Sequence, residues 1–208
     1  AGTRDLLARD DVDYVSIKVS SVASQLSMWA FDETVERVAE RLMPLYELAA
    51  NSPAQKFINL DMEEFRDLDL TMAVFSRVLD DPRLKSLEAG IVLQAYLPDA
   101  LAALDEITAM AERRRAIGGA RIKVRLVKGA NLAMELVEAE LHGWVQASYG
   151  GKAEVDANYV RLVEHALRPE RAAHVRVGVA SHNLFHVAYA HLLAAERGVG
   201  RAYLFDVQ

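Results

Sequence analysis

Arg121-Ile-Lys-Val-Arg-Leu-Val-Lys-Gly129 is a short apolar run with cations at its C-terminal end, Arg125 and Lys128, and a glycine to stop it. Its density of Val, Ile and Leu suits a strand covered on both faces. The pattern recurs along the chain. Tyr14–Ser20 carries Lys18, Lys56–Met62 carries Asp61, Gly90–Tyr96 carries Gln94, and Val175–Ser181 ends on Ser181 with His182 behind it. A further run, Arg201–Gln208, reaches Gln208 at the end of the sequence. Polar side chains gathered at the C-terminal ends of successive parallel strands are how a β/α barrel builds a site.

The intervening segments have helical periodicity. Apolar residues recur at three-and-four spacing after Phe31, with Pro44 predicting a kink or break. A second helix runs from about Glu64 and stops before Pro82, and Pro98 reads as a first-turn residue of a third. Met134, Val137, Leu141 and Trp144 mark another, Tyr159 to Ala166 a shorter one, and Leu184, Ala188, His191 and Ala195 the last. His191 reads as a core-edge histidine on that stripe. Residues 146–157 read as a long loop. Strand–helix alternation without hairpin signals gives a parallel α/β sheet. No G-x-G-x-x-G follows the first run, and the polar ends are spread over all the runs, which favours a TIM-like β/α barrel over a doubly wound sheet. The expected fold is therefore an incomplete barrel of about six of the eight strands.

Composition narrows the chemistry. The chain has 208 residues, no cysteine and a net charge of -6, so thiol nucleophiles and thiolate metal sites are excluded and nucleic acid is disfavoured. No apolar run is long enough to span a bilayer, which with the missing cysteines fits a cytoplasmic protein. Residues 1–208 read as one barrel core, and the abrupt ends read as an excerpt of a longer chain. The cluster Arg113–Arg115 reads as a solvated helix end.

Several residues could carry chemistry. Lys18, inside an apolar strand, could bind a carboxylate, form a Schiff base or make a structural ion pair. Asp61 could be a general base, a cation partner or a metal ligand, whereas Glu63 and Glu64 read as first-turn residues on a helix dipole. Gln94 suits a heteroaromatic ring with alternating donors and acceptors. Arg125 and Lys128 call for an anionic or electron-rich partner, and Gly129 allows close backbone approach. Ser181 reads as the cap of the last helix. His182 and His186 have i, i+4 spacing but no supporting carboxylate, so no metal is expected.

Val15-Ser-Ile-Lys-Val-Ser20, Asn59-Leu-Asp-Met-Glu-Glu64, Ile91-Val-Leu-Gln-Ala-Tyr96, Val124-Arg-Leu-Val-Lys-Gly-Ala130, Asp156-Ala-Asn-Tyr159 and Ala180-Ser-His-Asn183 occur in this order. Together they resemble the FAD-dependent proline dehydrogenases, most closely the dehydrogenase domain of the bifunctional proline utilisation flavoproteins. The resemblance implies a distorted β/α barrel that oxidises L-proline to 1-pyrroline-5-carboxylate and passes electrons through FAD to a membrane quinone. It implies a cytoplasmic protein, peripheral at the membrane, and an aldehyde dehydrogenase domain further along a bifunctional parent. By resemblance Lys18 contacts the proline carboxylate, Asp61 lies at the substrate amine as a catalytic residue, and Arg125, also catalytic, sits beside the reacting flavin nitrogen. Met62, Gln94, Lys128, Gly129, Ala130, Ser181, His182 and Gln208 are the implied flavin contacts. Where the family has an aromatic pair after Lys-Gly-Ala, this chain has Asn131-Leu132, and Asp206 stands where Glu is common. A Schiff-base aldolase built on Lys18 or Lys128, or a truncated barrel serving as a binding module, are the alternative readings.

Overall fold

The computed structural model describes the chain apart from residues 1, 25, 55, 201 and 206–208, and the backbone alone of residues 203–205. The strands are β1 (Tyr14–Lys18), β2 (Phe57–Asp61), β3 (Ala89–Gln94), β4 (Ile122–Val127), β5 (Val175–Val179) and β6 (Tyr203–Phe205). The main helices are α1 (Thr3–Leu7), α2 (Val19–Val22), α3 (Phe31–Ala50), α4 (Leu68–Leu79), α5 (Ala100–Ala116), α6 (Leu132–His142), α7 (Lys152–Ala166), α8 (Pro169–Ala172) and α9 (Leu184–Glu196). All the strand pairings are parallel and the spatial order is β1-β2-β3-β4-β5-β6. A doubly wound sheet reverses its strand order at a switch point. This one never reverses, so it is an arc of a β/α barrel.

Period-two alternation sorts the side chains. Ile17, Ile58, Leu60, Ile91, Leu93, Val124, Leu126, Val177 and Val179 are essentially inaccessible and belong to the main apolar core. Their alternate neighbours form rows fixed by register: Ser16 opposite Asn59, Asn59 opposite Gly90, Lys18 opposite Asp61, and Val92 opposite Arg125. Near the N-terminal ends of the strands, Tyr14 and Phe57 stack at 5.4 Å, with the Lys123 ammonium 5.6 Å from each ring centre. Such a cation over two aromatic faces is attracted by both quadrupoles.

The helices depart from the periodicity in instructive ways. α3 runs unbroken through Pro44. Proline removes one backbone bond, the one to the carbonyl of residue 40, but Glu40 and Pro44 both lie on the exposed face, which lowers the cost of leaving that carbonyl without its helical partner. Pro98 precedes α5, whose N-cap is Asp99. α7 begins at Lys152, so half of the expected loop is helical; the Lys152 ammonium bonds to Asp156 one turn on, at 2.5 Å. Arg114 is not a solvated end residue. Its guanidinium is buried and donates to the carbonyls of Leu79, Leu84, Lys85, Leu87 and Ala120, tying the ends of α4 and α5 to the loops below β3 and β4. α9 buries Ala190 and Ala194, so the stripe through Leu184, Ala188 and His191 is its outer face. α6 buries no residue, and Met134, Val137, Leu141 and Trp144 are exposed. Among the described residues no helix is long and apolar enough to cross a membrane.

Candidate active site

At the C-terminal ends of the strands lies a cavity of about 510 Å³. Lys18, Asp61, Met62, Gln94, Arg125, Lys128, Gly129, Ala130, Ser181 and His182 all line it. Gln208 lies outside the described residues. The convergence follows from the pairing. Lys18 and Asp61 are register partners, as are Gln94 and Val127, so side chains far apart in sequence end at one level.

Each polar group has a defined setting. Oδ1 of Asp61 accepts hydrogen bonds from the Ser16 hydroxyl at 2.6 Å and from Nδ2 of Asn59 at 2.9 Å. The Lys18 ammonium pairs with Glu63 at 3.6 Å. Glu63 is thus a cavity residue and not a first-turn helix residue; the backbone runs extended past it before the 3-10 turn at Phe65–Asp67. Nε2 of Gln94 donates to the carbonyls of Met62 at 2.8 Å and Glu63 at 3.0 Å, which fixes the amide orientation. Its Oε1 is buried and has no protein partner among the described residues. An unmet buried acceptor costs about 1–3 kcal/mol. An incoming N–H at this position would relieve that cost.

Two loops complete the mouth. Gly129 has φ +109°, and an added Cβ would lie 1.8 Å from Cδ1 of Tyr96. The space beside it is filled by that ring, so the glycine allows the packing of β3 against the β4 loop while its backbone lines the cavity. Tyr96 in turn donates to Glu135 at 3.1 Å, and burial, helped by Glu135, pushes its phenol well above the ordinary range. Asn131, which departs from the aromatic pair of the family pattern, donates to the Glu63 carbonyl at 2.9 Å and joins the cavity wall. Ser181 is not the helix cap. Asn183 caps α9 by accepting from the Phe185 N–H, and Ser181 accepts from the Asn183 N–H one step earlier.

Behind Lys128 sits a charged group that spacing alone did not reveal. Asp156 on α7 pairs with both Lys128 and Lys152 at 2.5 Å, and these bonds hold its carboxyl down at about 2. The Lys128 ammonium also lies 5.9 Å from the Tyr159 ring centre, and His186 stacks on that ring at 5.4 Å. Burial, then the charge of Lys128, lowers the His186 imidazole. The motif Asp156-Ala-Asn-Tyr159 was visible in sequence, but its contact with Lys128 needed the fold. Likewise Ser16 and Asn59 were missed, because nothing marks a serine and an asparagine as partners of a carboxylate until β1 and β2 are in register.

Three cations, two carboxylates and an unmet amide acceptor thus surround one mouth at the strand ends, the place where β/α barrels carry their sites. The chain belongs to the proline dehydrogenase family, whose model, described as "Proline dehydrogenase", matches residues 3–208. Proline utilization A from Corynebacterium freiburgense is 54% identical, with a TM-score of 0.95 over 99% of this chain and 21% of that one. Proline utilization A from Bdellovibrio bacteriovorus, in a structure of the protein inactivated by N-propargylglycine, is 35% identical with a TM-score of 0.85 over 93% of this chain and 20% of that one. The proline dehydrogenase of Deinococcus radiodurans is 32% identical over 162 residues, 74% of this chain and 41% of its own length. The Escherichia coli bifunctional protein PutA is 27% identical and is spanned for 14% of its length.

Proposed function

We propose that residues 1–208 act as one barrel unit that carries the FAD-dependent oxidation of L-proline to 1-pyrroline-5-carboxylate, with a membrane quinone as the final acceptor. One observation carries the reading: a carboxylate-binding lysine, an oriented aspartate, an arginine and an unmet amide acceptor meet in a single cavity. The donor set suits a flavin. Gln94 offers its spare Oε1 to a ring N–H, Arg125 and Lys128 supply positive charge, and Met62, Gly129, Ala130, Ser181 and His182 form the surrounding wall.

The reaction removes two electrons and two protons from the proline ring. FAD, when bound, supplies the two-electron acceptor, chemistry that side chains lack. Lys18 holds the proline carboxylate, exchanging its contact with Glu63 for one with the substrate. Asp61 accepts a hydrogen bond from the ring amine through the oxygen not held by Ser16 and Asn59, and so orients the nitrogen that loses its proton. Arg125 and Lys128 place fixed positive charge where negative charge accumulates, with no reorganisation during the reaction.

Lys18 and Lys128 are both engaged by carboxylates, whereas a Schiff-base lysine is made nucleophilic in an apolar or cationic pocket. The absorbance of purified full-length protein containing this chain tests the reading. A flavin band that bleaches on anaerobic addition of L-proline is the expected result. A colourless protein from which borohydride traps a lysine adduct would overturn it.

A further inference from the structure

We propose that Ser16 and Asn59 are positioning residues for Asp61, locking one carboxylate oxygen so that the other is presented to the substrate amine. The proposal rests on the reading of Asp61 as the group facing that amine.

The three side chains close a triangle across β1 and β2. The Ser16 hydroxyl reaches Oδ1 of Asp61 at 2.6 Å, Nδ2 of Asn59 reaches the same oxygen at 2.9 Å, and Nδ2 of Asn59 lies 3.2 Å from the Ser16 hydroxyl oxygen. Both bonds to the carboxylate fall on Oδ1. No bond among the described residues engages Oδ2, and Asp61 lines the cavity. A carboxylate held at one oxygen by donors from two strands loses its freedom to rotate about χ2.

The setting of Asn59 supports a role beyond packing. Asn59 is wholly buried, and its own Oδ1 has no partner among the described residues. The amide cannot be turned to relieve this, since Oδ1 would then face the Asp61 carboxylate, acceptor against acceptor. Room for that oxygen comes from the next strand, where a Cβ on Gly90 would lie 2.7 Å from it. The fold thus retains an unmet buried carbonyl to keep the amide N–H on Asp61, with Gly90 near the start of β3 leaving room for it and for the Phe57 ring. Ser16 sits at an exposed position, so burial does not explain its hydroxyl either.

The test uses full-length flavin-loaded protein. Ser16→Ala, Ser16→Thr and Asn59→Ala are made alone and in an Asp61→Ala background. Affinity for L-proline is read from the saturation of the anaerobic flavin-bleaching rate, and affinity for tetrahydrofuran-2-carboxylate, which keeps the carboxylate but replaces the amine with an ether oxygen, from the shift of the oxidised flavin spectrum, beside thermal midpoints. Ser16→Ala and Asn59→Ala should weaken proline about tenfold, the scale of a misaligned charged hydrogen bond. The ether analogue should change by less than about twofold, Ser16→Thr should restore most of the loss, and neither substitution should have a further effect once Asp61 is alanine. Equal losses for both ligands, or an undiminished Ser16→Ala effect in the Asp61→Ala background, would overturn the proposal. Normal proline affinity in Ser16→Ala and Asn59→Ala beside a crippled Asp61→Ala would reject positioning and leave the proposed function intact. An Asp61→Ala protein as active as the parent would reject both. If Asn59→Ala does not fold, the Ser16 variants decide the matter, because that side chain is exposed.

Discussion

Lys18 and Asp61 are register partners on adjacent strands, yet the Lys18 ammonium pairs with Glu63 and the Asp61 carboxylate turns to Ser16 and Asn59. The two groups assigned to opposite ends of one small substrate are therefore kept from neutralising each other. Glu63 occupies the lysine with a contact weak enough to exchange.

Glu63→Gln removes the competing anion from Lys18. Solvent-accessible pairs of this kind are worth about 0.2–1 kcal/mol, so KM for proline should fall by about 1.4- to fivefold with kcat unchanged. Steady-state kinetics check this, and an increase in KM would show that Glu63 contributes to binding instead.

Arg125→Met and Asp61→Ala should each lower kcat/KM by about a hundredfold or more, the usual loss when a preorganised charge is removed. Thermal midpoints should move little. Comparable losses of midpoint and of activity would make both residues structural.

The Asp156 carboxyl titrates at about 2 in the folded chain, against about 3.9 when unfolded. A lowered folded value means its stabilisation is fully present above the unfolded value and is lost as pH falls toward the folded one. The difference in urea midpoint between the parent and Asp156→Asn should therefore be constant above about pH 5, shrink as pH falls to about 2 and vanish below that. A difference that grows on acidification would contradict the pairing with Lys128 and Lys152.

Arg114→Met strips the donor from five carbonyls, at the end of α4, along residues 84–87 and at Ala120. It should cost about 3 kcal/mol or more of stability, while activity per folded molecule is retained. Denaturant unfolding and active-site titration separate the two quantities.

Gly129→Ala meets both a positive φ and the Tyr96 ring. The expected outcome is loss of bound flavin with the far-ultraviolet circular dichroism retained, since the collision is confined to the mouth.

The barrel was legible because its strands repeat one rule, an apolar run with a polar residue near its C-terminal end. Lys18, Asp61, Gln94, Arg125, Lys128, Ser181 and His182 followed from that rule, since parallel register carries strand ends to one level, whereas Met62 and Ala130 came from the resemblance alone. What escaped the sequence was whatever depends on a second element. Arg114 looked like its neighbours Arg113 and Arg115 until the loops that supply its acceptors were in place. The start of α7 was hidden by Gly150-Gly151, a loop signature that turned out to end one residue before the helix. The phase of α9 was misjudged because leucine and phenylalanine dominate its outer face while two alanines make its buried contacts. Ser16 and Asn59 had no periodic signature at all; only the pairing of β1 with β2 joins them to Asp61.

Gly90 lies on the third strand and lines no part of the cavity, but its missing Cβ leaves the gap into which Asn59 fits. A methyl group added there would push the amide aside and, through it, turn the aspartate on the second strand. In a saturation-mutagenesis map scored by growth on proline, position 90 should behave as intolerantly as the residues that meet the substrate. Intolerance of this kind, transmitted sideways through the sheet, would mark a footprint of function larger than the surface at which the chemistry occurs.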